Sequence, residues 1–175
     1  CVPRAIYDDR ARSAPRTPAI GRALDLLGRD FPFATASTIE AAGRIPVRFT
    51  TDRGAFDHVD ARDEDGDGRP DIPAAIVAGI AQAANLVETL ELPAPTIGEV
   101  LLVELDRVEG YVLPAGRRGG ATIVLDANPG GPDSARRAAV RQFAYATALG
   151  SSPAFPQAWA EAFGEWAVIA VDGGV

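Results

Sequence analysis

Asp63-Glu64-Asp65-Gly66-Asp67-Gly68-Arg69-Pro70-Asp71 separates a strand-like run from a helix-like run. Acidic side chains fall at loop positions 1, 3, 5 and 9, with Gly68 at position 6, which is the spacing of an EF-hand-type calcium loop. A hard cation needs several oxygens converging on one point. Alternating aspartates supply them, and glycine permits the sharp turn that gathers them. The expected ligands are Asp63, Asp65, Asp67 and Asp71 through their carboxylates and Arg69 through its backbone carbonyl. Position 12, where such loops carry a bidentate Glu, is Ala74, so water or an acid such as Asp57 or Asp60 has to complete the shell. The competing reading is a solvated acidic turn ahead of a helix. Regular spacing with a placed glycine favours calcium.

Elements on either side of the loop follow from periodicity. Upstream, Ile45, Val47 and Phe49 alternate with Pro46 and Arg48, predicting a strand over 45–50. Downstream, Pro73 opens a helix to about Leu90, with Ile76, Ile80, Ala84 and Val87 at helical spacing. Val100 to Leu105 and Ala121 to Leu125 read as strands, and residues 110–120, rich in glycine, as a loop. Helices are predicted from about Asp133 to Leu149 and from about Gln157 to Val171. Near the start, residues 1–16 form an irregular Arg- and Pro-rich arm. Thr17-Pro18 then caps a short helix carrying Ile20, Leu24 and Leu27 and ending near Gly28. Residues 29–44 show no decisive pattern. The expected fold is α+β, a small sheet with packed helices, in one domain over 17–175.

With 175 residues the chain is long enough for one real core. Its net charge of −7 argues against a nucleic-acid partner, which would want a basic face. Eight acids between Asp52 and Asp71 hold much of that charge, and bound calcium would relieve their repulsion. The sequence begins at Cys1, its single cysteine, so no intramolecular disulfide can form. A mature chain starting at cysteine is what lipoprotein signal cleavage leaves, and a trimmed fragment is the equal alternative. An extracytoplasmic location, secreted or at the cell surface, is expected independently, because a loop lacking its position-12 Glu fills only where calcium is plentiful. No apolar run in the sequence approaches the ~20 residues of a membrane span.

The ordered pieces carry a resemblance. The strand, the Gly-x-Pro-Asp loop, the long helix, the strand, Gly110-Tyr111, the strand Ala121-Thr122-Ile123-Val124-Leu125-Asp126 and two closing helices resemble secreted bacterial metalloproteases of the gluzincin type, from about Ile45 to Val171. The resemblance implies a zincin-like N-lobe. It aligns Arg141 and Tyr145 with the two zinc-binding histidines of that family, Gln142 with its general base and Glu161 with its third zinc ligand. These substitutions remove the chemistry. Arginine has no lone pair to donate, tyrosine is a poor zinc ligand near neutral pH, and glutamine cannot deprotonate water. His58 is the lone histidine, so a hydrolytic zinc site with ordinary N or S donors cannot be assembled. The resemblance therefore implies calcium without zinc, and a salt bridge from Arg141 to Glu161, with Tyr145 near it, in place of the metal.

The remaining candidates read as structural. His58 lacks a catalytic partner and suits the approach to the calcium loop. Ser151-Ser152 lies outside a nucleophile elbow. Gly116-Arg117-Arg118-Gly119-Gly120 lacks the lysine and following helix of a phosphate loop. Trp159, Phe163 and Trp166 recur at helical spacing, a stripe that is usually core though part of it can form a partner surface, while Glu161 and Glu165 form an i, i+4 acid pair on a solvated or structural face. The functional expectation is a calcium-stabilised pseudo-metalloprotease with a binding, structural or assembly role among proteins of an extracellular or envelope assembly, meeting a membrane only through lipid on Cys1. The alternatives are a hydrolase with a remodelled cleft, using Tyr145, Glu161, Glu165 or His58, and a calcium-dependent adhesin that binds glycan.

Overall fold

A computed structural model describes residues 36–105, 108–113, 120–151 and 156–174. The arm over 1–16, the helix expected over 17–28, Cys1, Ser152 and most of the glycine-rich loop lie outside these residues. The described elements, in chain order, are β1 (Ser37–Ala41), β2 (Ile45–Phe49), α1 (Asp71–Thr89), β3 (Ile97–Val103), β4 (Gly110–Leu113), β5 (Ala121–Asp126), α2 (Pro132–Ser151) and α3 (Gln157–Asp172). The fold is α+β, with a mixed five-stranded sheet in the order β1-β2-β3-β5-β4. The central strands β2, β3 and β5 are mutually parallel, and β1 and β4 run antiparallel at the two edges.

Two strands differ from the sequence expectation. β1 falls in the stretch without a pattern, because Ser37-Thr38-Ile39-Glu40-Ala41 offers one large apolar side chain and its pairing comes from the tight turn into β2. β4 falls in the stretch expected to be loop. Its Tyr111, Val112 and Leu113 are all buried, and the sheet draws this short run into register with β5.

Alternation in β2 puts Ile45, Val47 and Phe49 into the core as expected. There they meet Ile76, Ile80 and Val87 of α1, Val100 and Leu102 of β3, and Val140 and Phe143 of α2. α1, with 19 residues, is long and apolar enough by length and composition alone to cross a membrane, although no apolar run of that length was expected from the sequence. Its apolar stripe is packed inside the domain, as in the core helix of a globular protein. α1 and α2 approach closely at Gly79, where a Cβ would stand 2.4 Å from the Arg136 carbonyl oxygen. α2 and α3 meet at Gly164, where a Cβ would lie 3.0 Å from the Arg141 carbonyl oxygen.

This close contact decides between the two expectations for the α3 aromatics, core or partly exposed surface, in favour of the second. The buried side of α3 is Ala160, Gly164, Ala167, Val168 and Ala170, small enough to sit against the α2 backbone. The large rings are displaced outward, leaving Trp159 67% and Trp166 42% exposed. Phe163 is half-buried and stacks on Trp166 at 5.6 Å between ring centroids. At the far end of α3, Asp172 is clamped to the start of α2. It accepts from Arg136 Nη2 at 2.7 Å and pairs with Arg137 Nε at 3.1 Å.

Candidate metal centre and the Arg141 ion-pair hub

The acidic loop is organised by its own backbone. Gly66 N–H donates to Asp63 Oδ1 at 2.8 Å, and Gly68 N–H donates to Asp63 Oδ2 at 2.9 Å. Asp67 N–H donates to Asp65 Oδ1 at 3.0 Å, and Arg69 N–H to Asp67 Oδ1 at 2.8 Å. Gly66 and Gly68 hold φ of 75° and 83°, a left-handed backbone that glycine adopts without strain. The loop closes where Asp71 begins α1. Asp71 N–H donates to the Arg62 carbonyl at 2.8 Å, while Asp71 Oδ1 accepts from Glu64 N–H at 3.1 Å.

Carboxylate oxygens of Asp63, Asp65 and Asp71 lie within 4.8 Å of one another. Calcium holds oxygens at about 2.3–2.6 Å, so ligands on opposite sides of one ion stand about 5 Å apart. The three acids therefore fit one such cation, and Asp71, on the first turn of α1, would tie the ion to the core helix. Of the other expected ligands, Asp67 stands outside this group, with its carboxylate turned to the Arg69 N–H, and the loop bonds do not engage the Arg69 carbonyl. Neither acid expected to substitute at position 12 joins the group. Asp57 is buried, with Oδ1 accepting from Glu104 N–H at 3.0 Å, so it belongs to the end of β3. Asp60 Oδ1 accepts from Arg62 N–H at 3.3 Å. His58 sits where expected, on the approach to the loop, with Nδ1 3.1 Å from the Ala55 carbonyl and its backbone bridged to Thr50.

Beside this group lies an open cleft of about 290 Å³. The acidic loop lines it with Asp60, Arg62, Glu64 and Asp71, and the β5–α2 turn faces them with Asn128 to Pro132. It occupies the carboxyl ends of the parallel strands, where open α/β sheets place their ligands. Asp126, at the end of β5, has its pKa raised chiefly by burial, with the Glu104 charge adding and backbone N–H bonds from Asn128 and Leu105 opposing. Glu104 in turn accepts from Asn128 Nδ2 at 2.6 Å.

The residues that the sequence resemblance set at zinc-site positions lie in a second region, across α2, α3 and the start of β4. Arg141 does bridge α2 to α3, but through Glu165 and not the expected Glu161. Its Nε lies 2.8 Å from Glu165 Oε1, and its Nη2 donates to Glu165 Oε2 at 3.1 Å. It also pairs with Glu109, the residue before β4. Burial lowers the Arg141 pKa, but the Glu109 charge and the Glu165 hydrogen bond outweigh it, so its pKa stands above the ordinary value. Gln142 Nε2 donates to the Gly110 carbonyl at 3.3 Å, so it serves the edge strand. Tyr145 is buried, and burial together with the nearby Glu161 charge pushes its pKa up to about 12. Glu161 accepts from Gln157 Nε2 at 3.1 Å along its own helix.

Glu161 and Glu165 divide the work because successive turns of α3 face different neighbours: Glu161 stands beside Tyr145, and Glu165 beside Arg141. The i, i+4 spacing of the two acids was the sequence signal for Glu165. Glu109 had none, since its role depends on the unrecognised strand that follows it. No protein-family model, no curated protein and no solved structure matches the chain.

Proposed function

We propose that this is a non-catalytic, calcium-binding domain of the extracytoplasmic space, with an EF-hand-like calcium loop on a zincin-like N-lobe scaffold, serving a binding, structural or assembly role. The observation that carries the reading is the convergence of Asp63, Asp65 and Asp71 at the start of the core helix. A cation there would neutralise an acidic turn and pin α1 to the sheet. The pseudo-protease half of the reading is supported by the use made of Arg141, Gln142 and Tyr145. The arginine joins three elements, the glutamine holds the edge strand, and the tyrosine keeps its proton far above neutral pH. Positions that would bind zinc in the resembled family bind the fold together here. The exposed rings of Trp159 and Trp166 support a protein partner within an extracellular or envelope assembly.

One observation favours a second reading. The cleft beside the acidic group would give a ligand direct access to a calcium ion that lacks its position-12 carboxylate, and sugar hydroxyls are suitable oxygens. A calcium-dependent glycan-binding adhesin is therefore the alternative, tested by glycan binding with and without chelator. Elemental analysis of natively purified protein tests the main reading. About one calcium and no stoichiometric zinc per chain is expected, whereas stoichiometric zinc would refute it and bring hydrolysis forward.

A further inference from the structure

α3 rests on α2 and, to a lesser extent, on α1. Its outer side carries Trp159, Ala162, Trp166 and Ile169, all exposed, and ends at the exposed Gly173. These positions step by three and four residues in turn, the alternation of a helix-pairing seam. Trp159, Trp166 and Ile169 are 67%, 42% and 70% exposed. A large aromatic side chain carries up to about 250 Å², so the three leave roughly 400 Å² of apolar surface in one stripe, as much as the largest patch of an ordinary monomer. Phe163 stacks on Trp166 and steadies that ring within the stripe. The flanking charges are already paired inside the chain: Glu165 with Arg141, and Asp172 with Arg136 and Arg137.

We propose that this stripe pairs with the same stripe of a second copy of the chain, antiparallel about a two-fold axis at the level of residue 164. The pairing rests on the partner-binding reading above and names the partner. Side-chain sizes along the seam are self-complementary in that direction. Ala162 falls opposite the partner's Trp166, so the large ring enters the space over the small residue. Trp159 falls opposite the partner's Ile169, and these bulkier layers lie at the two ends, where crossed helices diverge. A parallel pairing would set Trp on Trp and Ala on Ala, holding the helices apart at one layer and leaving a gap at the next. Electrostatics agree with the antiparallel choice. The α3 N-terminus has no side-chain cap and no acid in its first turn, and it would lie beside the negative, C-terminal end of the other α3. A basic partner would find Glu165 and Asp172 already taken, so the stripe suits an apolar surface like itself. Two such stripes bury about 800 Å² from these large side chains alone, and the helix flanks bring the contact to the low end of specific interfaces, near 1,000 Å². The dimer is accordingly weak and reversible.

Sedimentation equilibrium of the full chain in calcium, from low micromolar to millimolar concentration, tests the pairing. The mass should rise from one chain toward two. Association should tighten with salt, because two chains of net charge −7 repel each other and an apolar seam is not screened. Ile169→Glu sets an unpaired carboxylate against the partner's Trp159. It should weaken dimerisation at least about tenfold and leave the Tm of dilute, monomeric protein unchanged. Trp159→Glu, at the facing position, should do the same. A single-chain mass at every concentration, a dimer that both variants leave intact, or association weakened by salt would each overturn the proposal. Metal content of the same sample keeps the two claims apart. A monomer holding one calcium overturns the pairing alone, whereas stoichiometric zinc in a dimer overturns the functional reading and leaves the pairing standing.

Discussion

Replacing Arg141 by Met separates a structural arginine from a catalytic one. Arg141→Met keeps much of the aliphatic stem, which packs beside Gly164, and removes the guanidinium. The charge has three contacts: Nε and Nη2 on the two Glu165 oxygens, and Nη1 on Glu109. The arginine side chain is 23% exposed, but Glu165 and Glu109 are 64% and 40% exposed, so solvent screens both partners. Each exposed pair is therefore worth no more than about 1 kcal/mol. Loss of the hub should cost about 1–2 kcal/mol in all, a Tm decrease of about 2–8 °C for a domain of this size. Thermal unfolding followed by circular dichroism measures it. The double cycle with Glu165→Gln should show coupling of about 0.5–1 kcal/mol that shrinks in 0.5 M salt. A catalytic arginine held at a cost in stability would behave oppositely, since its removal leaves Tm unchanged or higher. An unchanged or raised Tm for Arg141→Met would refute the view that this cluster replaces a metal as a structural tie.

Gly79→Ala should be destabilising despite alanine's better helix propensity, because the new methyl would stand 2.4 Å from the Arg136 carbonyl oxygen and force α1 from α2. The net loss should be about 1–3 kcal/mol by denaturant unfolding, and a neutral result would mean the two helices do not cross so closely. Tyr145 holds its proton to about 12 when folded but to about 10 when unfolded, so the unfolded state loses the proton first and stability should fall between those values. Tyr145→Phe should flatten that alkaline decline, and an unaltered pH profile would show that Tyr145 is not buried beside Glu161. The Asp172 pKa is lowered mainly by its hydrogen bond from Arg136, so the stabilisation it confers is present above its ordinary value near 3.8 and is lost as pH falls through the lower folded value. Asp172→Asn should remove that acid-range dependence in urea titrations, and a wild-type acid profile would count against the clamp.

What could be read in advance depended on whether a residue's role is local or comes from its neighbours. Ile45, Val47 and Phe49 announce β2, and Ile76, Ile80 and Val87 announce α1, because each element buries one face and the pattern records it. The loop glycines, Gly66 and Gly68, and the three converging aspartates are likewise a local matter of turn geometry. β4 was hidden because four residues beginning with glycine become a strand only when β5 supplies hydrogen bonds. The core reading of the α3 aromatics gave way to the surface alternative because Gly164 and three alanines, not the rings, make up the buried side of α3. Periodicity identified a stripe on α3 without showing which stripe was buried. The choice of Glu165 over Glu161 turns on the rotation of α3 against α2, which no pairwise spacing in the sequence encodes.

Calorimetric titration of calcium into chelator-treated protein, read together with Tm, bears most directly on the central claim. One calcium per chain is expected, with a Kd of roughly 10⁻⁴–10⁻³ M, the range of extracellular modules and in keeping with a missing position-12 carboxylate. At ten times Kd the ion should add about 1.4 kcal/mol, raising Tm by about 3–6 °C, and Asp63→Asn should abolish both the heat and the shift. No heat and no rise in Tm at 10 mM calcium, or the same response from Asp63→Asn, would contradict the account.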